Sequence, residues 1–158
     1  MIAFRPMSET DYPAYLAYFI PDYAAEIAAN YGVSQADALE QARRGAADDL
    51  PQGVATPGEC LLCILDDSDE TVLGYLWYRP DAAGRSVFIM DFHILDAHQG
   101  RGLGKQALAL LEQHLAKTGF RQIKLRVAGD NERARHVYAT TGFRVTGINM
   151  SKTIGENG

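Results

Sequence analysis

The stretch Asp96-Ala97-His98-Gln99-Gly100-Arg101-Gly102-Leu103-Gly104-Lys105 constrains this chain more than any other. It follows Ser86–Leu95, which reads as a strand, and opens Gly102–Thr118, where Leu103, Ala107, Leu111 and Leu115 form one helical stripe. Three glycines within five residues let backbone N–H groups approach a ligand closely. A helix N-terminus adds unpaired N–H donors and partial positive charge, and Arg101 and Lys105 can add more. Together these features make a pyrophosphate site. A Walker loop does not fit, because it needs Gly at Gln99 and Ser or Thr at Gln106. A dinucleotide fingerprint can be laid on Gly102–Ala107, but its turn follows its strand tightly and a polar stretch intervenes here. A solvated, glycine-rich helix start without a ligand is the bland alternative.

The rest of the chain sets the frame. Its 158 residues suit one domain, residues 1–158, and 47% apolar with 22% charged residues is ordinary globular usage. No apolar run approaches the roughly 18–20 residues of a membrane span. Met1–Pro6 lacks signal-peptide anatomy, so a cytoplasmic location is expected. The formal net charge of −5 argues against non-specific nucleic-acid binding and is compatible with a cationic substrate. Cys60 and Cys63 fall on an expected strand, where residues three apart face opposite ways; buried, inert thiols and no metal site are expected.

Ile2–Met7 reads as a strand, Ser8 as a helix cap, Asp22–Asn30 as a helix ended by Gly32, and Ser34 as the cap of a helix to about Asp49. Cys60–Leu65 and Val72–Tyr78 read as antiparallel strands, with a turn at Pro80–Gly84. Gln122–Val127 reads as a strand, Asn131–Thr141 as a helix and Phe143–Thr153 as a final extended segment. This order predicts an α/β (α+β) fold with a mixed, mostly antiparallel central sheet and helices on both faces.

Gln99-Gly100-Arg101-Gly102-Leu103-Gly104 resembles the Gln/Arg-x-x-Gly-x-Gly/Ala signature of the Gcn5-related N-acetyltransferase superfamily. A second stretch, Asn131-Glu132-Arg133-Ala134-Arg135-His136-Val137-Tyr138 through Gly142-Phe143, resembles that family's Asn-x-x-Ala-x-x-x-Tyr-x-x-x-Gly-Phe. Both occur in the family's order, with a strand between them. The resemblance is closest from Ser86 to Lys152. Tyr23-Ala24, Leu50-Pro51-Gln52-Gly53, Thr56 and Gly74-Tyr75-Leu76-Trp77 look like a bacterial branch of undefined substrate.

The resemblance implies strands splayed around acetyl-coenzyme A (acetyl-CoA), and direct attack on its thioester by a primary amine of a small molecule or peptide in a ternary complex. Backbone of Phe92, His93 and Ile94 would pair with the cofactor arm, on a strand that usually carries a bulge in this family. The Ile94 N–H would face the thioester oxygen. Gln99, Gly100, Arg101, Gly102, Leu103, Gly104 and Lys105 would cradle the pyrophosphate. Asn131 and Ala134 would complete the cofactor site, and Tyr138 would serve the leaving sulfur as acid. Relatives often carry Glu or His where Phe88 and Met90 stand, which leaves Asp91 or His93 as the base. Asp96 stands where relatives often have Pro. Tyr23, Glu26, Tyr31 and Trp77 would line the acceptor pocket. Two alternatives stay open: a non-catalytic acyl-CoA-binding module, and transfer of a longer acyl group. Assembly as a homodimer is also open.

Overall fold

The computed structural model describes residues 1–155; the last three positions of the expected 1–158 domain lie outside the described residues. The chain divides into two compact units. The first comprises Met1–Ser8 and Val54–Phe143, the second Glu9–Gly53 and the segment from Arg144.

The first unit is built on five strands: β1 (Ile2–Pro6), β2 (Cys60–Asp66), β3 (Val72–Asp81), β4 (Ser86–Ile94) and β5 (Gln122–Leu125). They lie side by side in chain order. The first four form an antiparallel meander, and β5 joins β4 in parallel. A parallel neighbour needs a crossover, and the helix α3 (Leu103–Lys117) supplies it. Leu103, Ala107, Leu108, Leu111 and Leu115 of α3 pack on Ile64, Leu76, Tyr78, Val87 and Ile89 of the sheet. Leu61, Cys63, Leu65, Tyr75 and Trp77, of opposite strand parity, are buried as well. Sheet buried on both faces explains why β2 and β3 read as nearly continuous apolar runs. The mixed, mostly antiparallel sheet expected from the sequence is therefore present.

Cys60 packs on the α3 side, whereas Cys63 has the opposite strand parity; both thiols are free. Burial pushes the Cys60 thiol up from its ordinary value, and the Tyr78 hydroxyl hydrogen-bonds its sulfur. Burial outweighs the opposing, lowering influence of that hydrogen bond, and a thiol raised in this way is not an activated one.

The second unit pairs α1 (Tyr12–Tyr31) with α2 (Gln35–Asp49). Ala24 and Ile27 meet Ala38 and Ala42, small residues that let the two backbones approach closely. Ser34 caps α2 as expected, its Oγ accepting from the Asp37 N–H at 3.1 Å. Helix α1 corrects the sequence reading. It starts at Tyr12 after Asp11, not after a Ser8 cap, and runs through Pro21. Pro21 removes one helical N–H, yet the helix continues. Tyr15, Phe19 and Tyr23, spaced four apart, stack ring on ring at 5.5 and 5.7 Å across the Pro21 turn.

Two further expectations are corrected. The β3 strand runs to Asp81, so the turn expected at Pro80–Gly84 lies at Ala82–Arg85, where the Arg85 N–H donates to the Ala82 carbonyl at 3.2 Å. The expected extended segment Phe143–Thr153 pairs with no described strand; Ser151 Oγ donates to the Asn30 carbonyl at 3.3 Å. An apolar alternation makes a strand only where a neighbouring edge accepts its hydrogen bonds. Among the described residues, no helix is long and apolar enough to cross a membrane.

Candidate active site

The site grows from a mismatch of strand lengths within the first unit. The β4–β5 ladder runs from Ser86↔Gln122 to Ile89↔Leu125 and stops, while β4 continues to Ile94. Among the described residues, β4 from Met90 onward is paired only on its β3 side. On that side Trp77 opposes Asp91 while Tyr78 opposes Ile89, so Met90 is an extra, bulged residue.

Hydrogen-bond alternation then decides which groups face the gap. The Leu95 N–H donates to the Leu73 carbonyl at 2.8 Å, which makes Leu95 and Leu73 a bonded pair. Alternation makes His93↔Tyr75 and Asp91↔Trp77 bonded pairs too, and leaves Ile94↔Gly74 and Phe92↔Leu76 unbonded. The backbone N–H and C=O groups of Phe92 and Ile94 therefore point away from β3, toward the open side. Those of His93 point into the sheet. His93 was expected to offer its backbone to a ligand along with Phe92 and Ile94; the register corrects that expectation.

Gly74 sets how closely β3 and β4 approach at this point. A Cβ there would overlap the His93 carbonyl oxygen and lie 3.0 Å from Ile94 Cα, both backbone atoms. Gly74→Ala must push β4 away and is expected to cost about 1–3 kcal/mol in urea unfolding.

The glycine loop follows β4 directly. Asp96–His98 form one tight turn, then Gly100 (φ 80°) and Gly102 (φ 74°) take left-handed conformations. Open space lies where a Cβ would stand on either. Gly102 is the N-cap of α3 and brings no side chain to its first N–H groups, which stay available to an anion. Leu103 is buried in the core and anchors the helix start; a Cβ on Gly104 would lie 3.9 Å from the Phe92 ring and from Val137, ordinary contact distance. Lys105 is exposed. Arg101 Nη1 lies 3.1 Å from His98 Nδ1; arginine can only donate, so that nitrogen accepts. The Gln99 side chain is engaged within the protein: Nε2 donates to the Ile94 carbonyl at 2.8 Å and to Asp96 Oδ1 at 3.2 Å. What Gln99 keeps for a ligand is its backbone. Asp96 thus takes part in fixing the loop.

The second motif forms α4 (Glu132–Thr140). Asn131 caps it, Oδ1 accepting from the Ala134 N–H at 3.1 Å. The amide NH₂ of Asn131 is a separate group, so capping and ligand binding are compatible. Tyr138 is largely buried, edge-on to Phe143 at 5.5 Å. Burial first, and the nearby Asp91 carboxylate second, raise its phenol from 10.0 to about 12. Tyr138 and Asp91, both read as catalytic candidates, are therefore within electrostatic reach of each other. Asp91 and His93 lie two apart on β4 and both are engaged with neighbouring groups.

The raised phenol carries a stability signature. Below pH about 10 both folded and unfolded chains hold the Tyr138 proton. Between about 10 and about 12 only the unfolded chain releases it, so stability is lost as pH rises through that window. Between pH 9 and pH 11.5 wild type is expected to lose about 2 kcal/mol more than Tyr138→Phe, from about 1.36 kcal/mol per pK unit; the Tyr78 phenol, itself raised by burial, contributes its own loss to both proteins. Urea unfolding of both proteins at pH 9 and pH 11.5 checks it.

The proposed acceptor-pocket residues divide between the units. Tyr23, Glu26 and Tyr31 lie on α1; Tyr23 is 38% and Tyr31 56% exposed, while Glu26 is half-buried. Trp77 lies on β3 and is 1% exposed, its Nε1 donating to Glu59 Oε1 at 2.7 Å. Arg79 Nε donates to the other Glu59 oxygen, also at 2.7 Å. Trp77 is thus a core side chain with little surface to offer a substrate. Nothing local to Glu59 marks it, yet its carboxylate fixes both neighbours.

Comparison with known proteins agrees with this geometry. The Acetyltransferase (GNAT) family profile matches residues 22–143. The uncharacterized N-acetyltransferase YycN of Bacillus subtilis is 33% identical over 156 residues, covering 97% of this chain and 99% of that protein. The crystal structure of that putative acetyltransferase superposes with TM-score 0.91 at 32% identity, over 99% of this chain and 100% of the other. The PaiA N-acetyltransferase of Thermoplasma acidophilum, crystallised with coenzyme A, shares the fold with TM-score 0.72 at 18% identity, over 94% and 93% of the two chains. The spermidine N-acetyltransferase of Vibrio cholerae, crystallised with coenzyme A and spermine, does so with TM-score 0.64 at 18% identity, over 92% and 82%. With a glycine-capped helix start beside an unpaired strand edge, and a family match spanning most of its length, this chain belongs to the GNAT acetyltransferase family.

Proposed function

We propose that this protein transfers an acetyl group from acetyl-CoA to a primary amine of a small molecule or peptide, by direct attack in a ternary complex. The observation that carries the proposal is the open β4 edge, where Phe92 and Ile94 present backbone groups beside the glycine loop. The amide-bearing arm of acetyl-CoA matches such an edge, as an added strand would. Its pyrophosphate matches the N–H groups of the Gly100–Lys105 stretch, with Arg101 and Lys105 adding charge. The two coenzyme A complexes of the same fold support this cofactor. The family profile runs across parts of both units, which supports their acting as one N-acetyltransferase domain. A cytoplasmic site of action accords with that cosubstrate.

Acetyl-CoA supplies an activated thioester; the protein's own groups do the rest. The Ile94 N–H, directed at the open edge, is the donor for negative charge developing on the carbonyl oxygen. A well-aimed donor of this kind contributes about 2–4 kcal/mol. Asn131 holds the arm through its free amide NH₂. Tyr138 Oη holds a proton across the whole working pH range, because its phenol titrates only near 12. Against a thiol near pKa ~8.5, complete transfer from that phenol is uphill by about 5 kcal/mol. Tyr138 therefore acts first as a hydrogen-bond donor to the leaving sulfur and gives up its proton only as the C–S bond breaks. An amine must lose its proton before attack, and Asp91 or His93 is positioned on β4 to receive it, directly or through water.

Phe88 and Met90 stand where many relatives carry an ionisable group, and this favours a second reading, a module that binds acyl-CoA without turnover. Thiol release separates the two. Acetyl-CoA with an amine panel is expected to give turnover, and Tyr138→Phe is expected to lower kcat by about 10²–10⁴-fold. A loss under about threefold in a folded variant would remove Tyr138 from the acid role. Longer acyl-CoA substrates in the same assay test a larger acyl group.

A further inference from the structure

Arg133 carries no assigned role, although it lies inside the second motif. It sits in the first turn of α4, and its Nη1 donates to Gln99 Oε1 at 2.6 Å across 34 positions of sequence. Gln99 Nε2 in turn donates to the Ile94 carbonyl at 2.8 Å. A guanidinium has donors and no acceptor, so it compels the Gln99 amide to present its oxygen to Arg133 and its NH₂ to Ile94 and Asp96. A flipped amide would set two donors against each other on one side and two acceptors on the other.

We propose that Arg133 is a positioning residue for acetyl transfer, acting through Gln99 on the Ile94 peptide. The inference rests on the reading of the Ile94 N–H as the oxyanion donor. Both polar groups of Ile94 face the open edge, and an uncovered carbonyl beside a developing oxyanion would repel it. The Gln99 NH₂ covers that carbonyl and leaves the N–H as the group Ile94 offers. The Leu95 N–H, bonded to Leu73 at 2.8 Å, holds the other side of the same peptide. Arg133 also ties the loop after β4 to α4, the helix that carries Tyr138 five residues on. One side chain therefore links the oxyanion donor to the acid. Because the Arg133–Gln99 bond is exposed, it contributes little to stability, so a defect on its removal would report geometry.

Two readouts test this. In the ligand-free protein, the Leu95 ¹⁵N–¹H signal reports hydrogen bonding at the Ile94 carbonyl, because its nitrogen shares that peptide. Arg133→Met is expected to shift the Leu95 signal and that of the Gln99 side-chain NH₂, with Tm within about 2 °C of wild type. In the acetyl-transfer assay the same variant is expected to lose about 10–100-fold in kcat, with KM for acetyl-CoA within about threefold. Gln99→Glu, which keeps the acceptor for Arg133 but removes the donor to Ile94, should match that loss. The double variant should be no worse than either alone, and Arg133→Lys should recover part of the rate. An unmoved Leu95 signal, an unchanged kcat, or a rise in KM alone (Arg133 then serving phosphate) would overturn the proposal. A wild-type protein without acetyl transfer would overturn the parent reading, and this catalytic role with it, whatever the Leu95 signal does.

Discussion

The candidate site depends on where one hydrogen-bond ladder ends. Parallel pairing of β4 with β5 stops at Ile89↔Leu125, and the Met90 bulge turns the remainder of β4 away from its former register. An unpaired backbone group shut away from water costs about 1–3 kcal/mol. A chain can keep such groups unpaired only if they stay hydrated or meet a ligand. Phe92 and Ile94 present theirs to the gap, and the one acceptor nearest the proposed reaction centre, the Ile94 carbonyl, is covered by Gln99. The glycines of the loop and the closeness allowed by Gly74 serve the same end. They bring bare backbone to where a cofactor with amides and phosphates can bond to it.

Electrostatics around Tyr138 follow from the same geometry. The phenol is removed from water where Tyr138 packs against the core, within reach of the Asp91 carboxylate, and both influences oppose its ionisation. A group held neutral in this way is a poor acid toward bulk water and a dependable donor toward an anion beside it. Asp91 stands on the same strand as Ile94, so the proposed base, oxyanion donor and acid are all set by β4 and α4.

Much of this was legible in the sequence, because it rests on local rules. Glycine spacing before an amphipathic stripe located the loop, Ser34 and Asn131 announced their caps, and the interval from Asn131 to Tyr138 placed two groups on one short helix. What the sequence hid depends on long-range partners. The resemblance implied a bulge somewhere on this strand, but its place at Met90 exists only in the pairing with β3, and nothing in Ile-Met-Asp marks it. The inward direction of the His93 backbone follows from a register fixed at Leu95–Leu73. Gln99 and Arg133 meet across 34 positions. The helix read as starting at Asp22 begins at Tyr12 and runs through Pro21, with Phe19 and Tyr23 stacked across that turn. Trp77 looked like a pocket aromatic, but it is buried in the core with its Nε1 donating to Glu59, 18 positions away. The alternation after Phe143 found no described strand edge to pair with.

The central claim is that the open β4 edge and the glycine loop form an acetyl-CoA site, and calorimetric titration of the purified protein with acetyl-CoA tests it most directly, with NADH and ATP as controls. The account predicts one saturable site per chain for acetyl-CoA, and markedly weaker or no binding of the two control nucleotides. Absence of acetyl-CoA binding to the folded protein, or preference for either control, would contradict the account and remove the basis for the roles given to Ile94 and Tyr138.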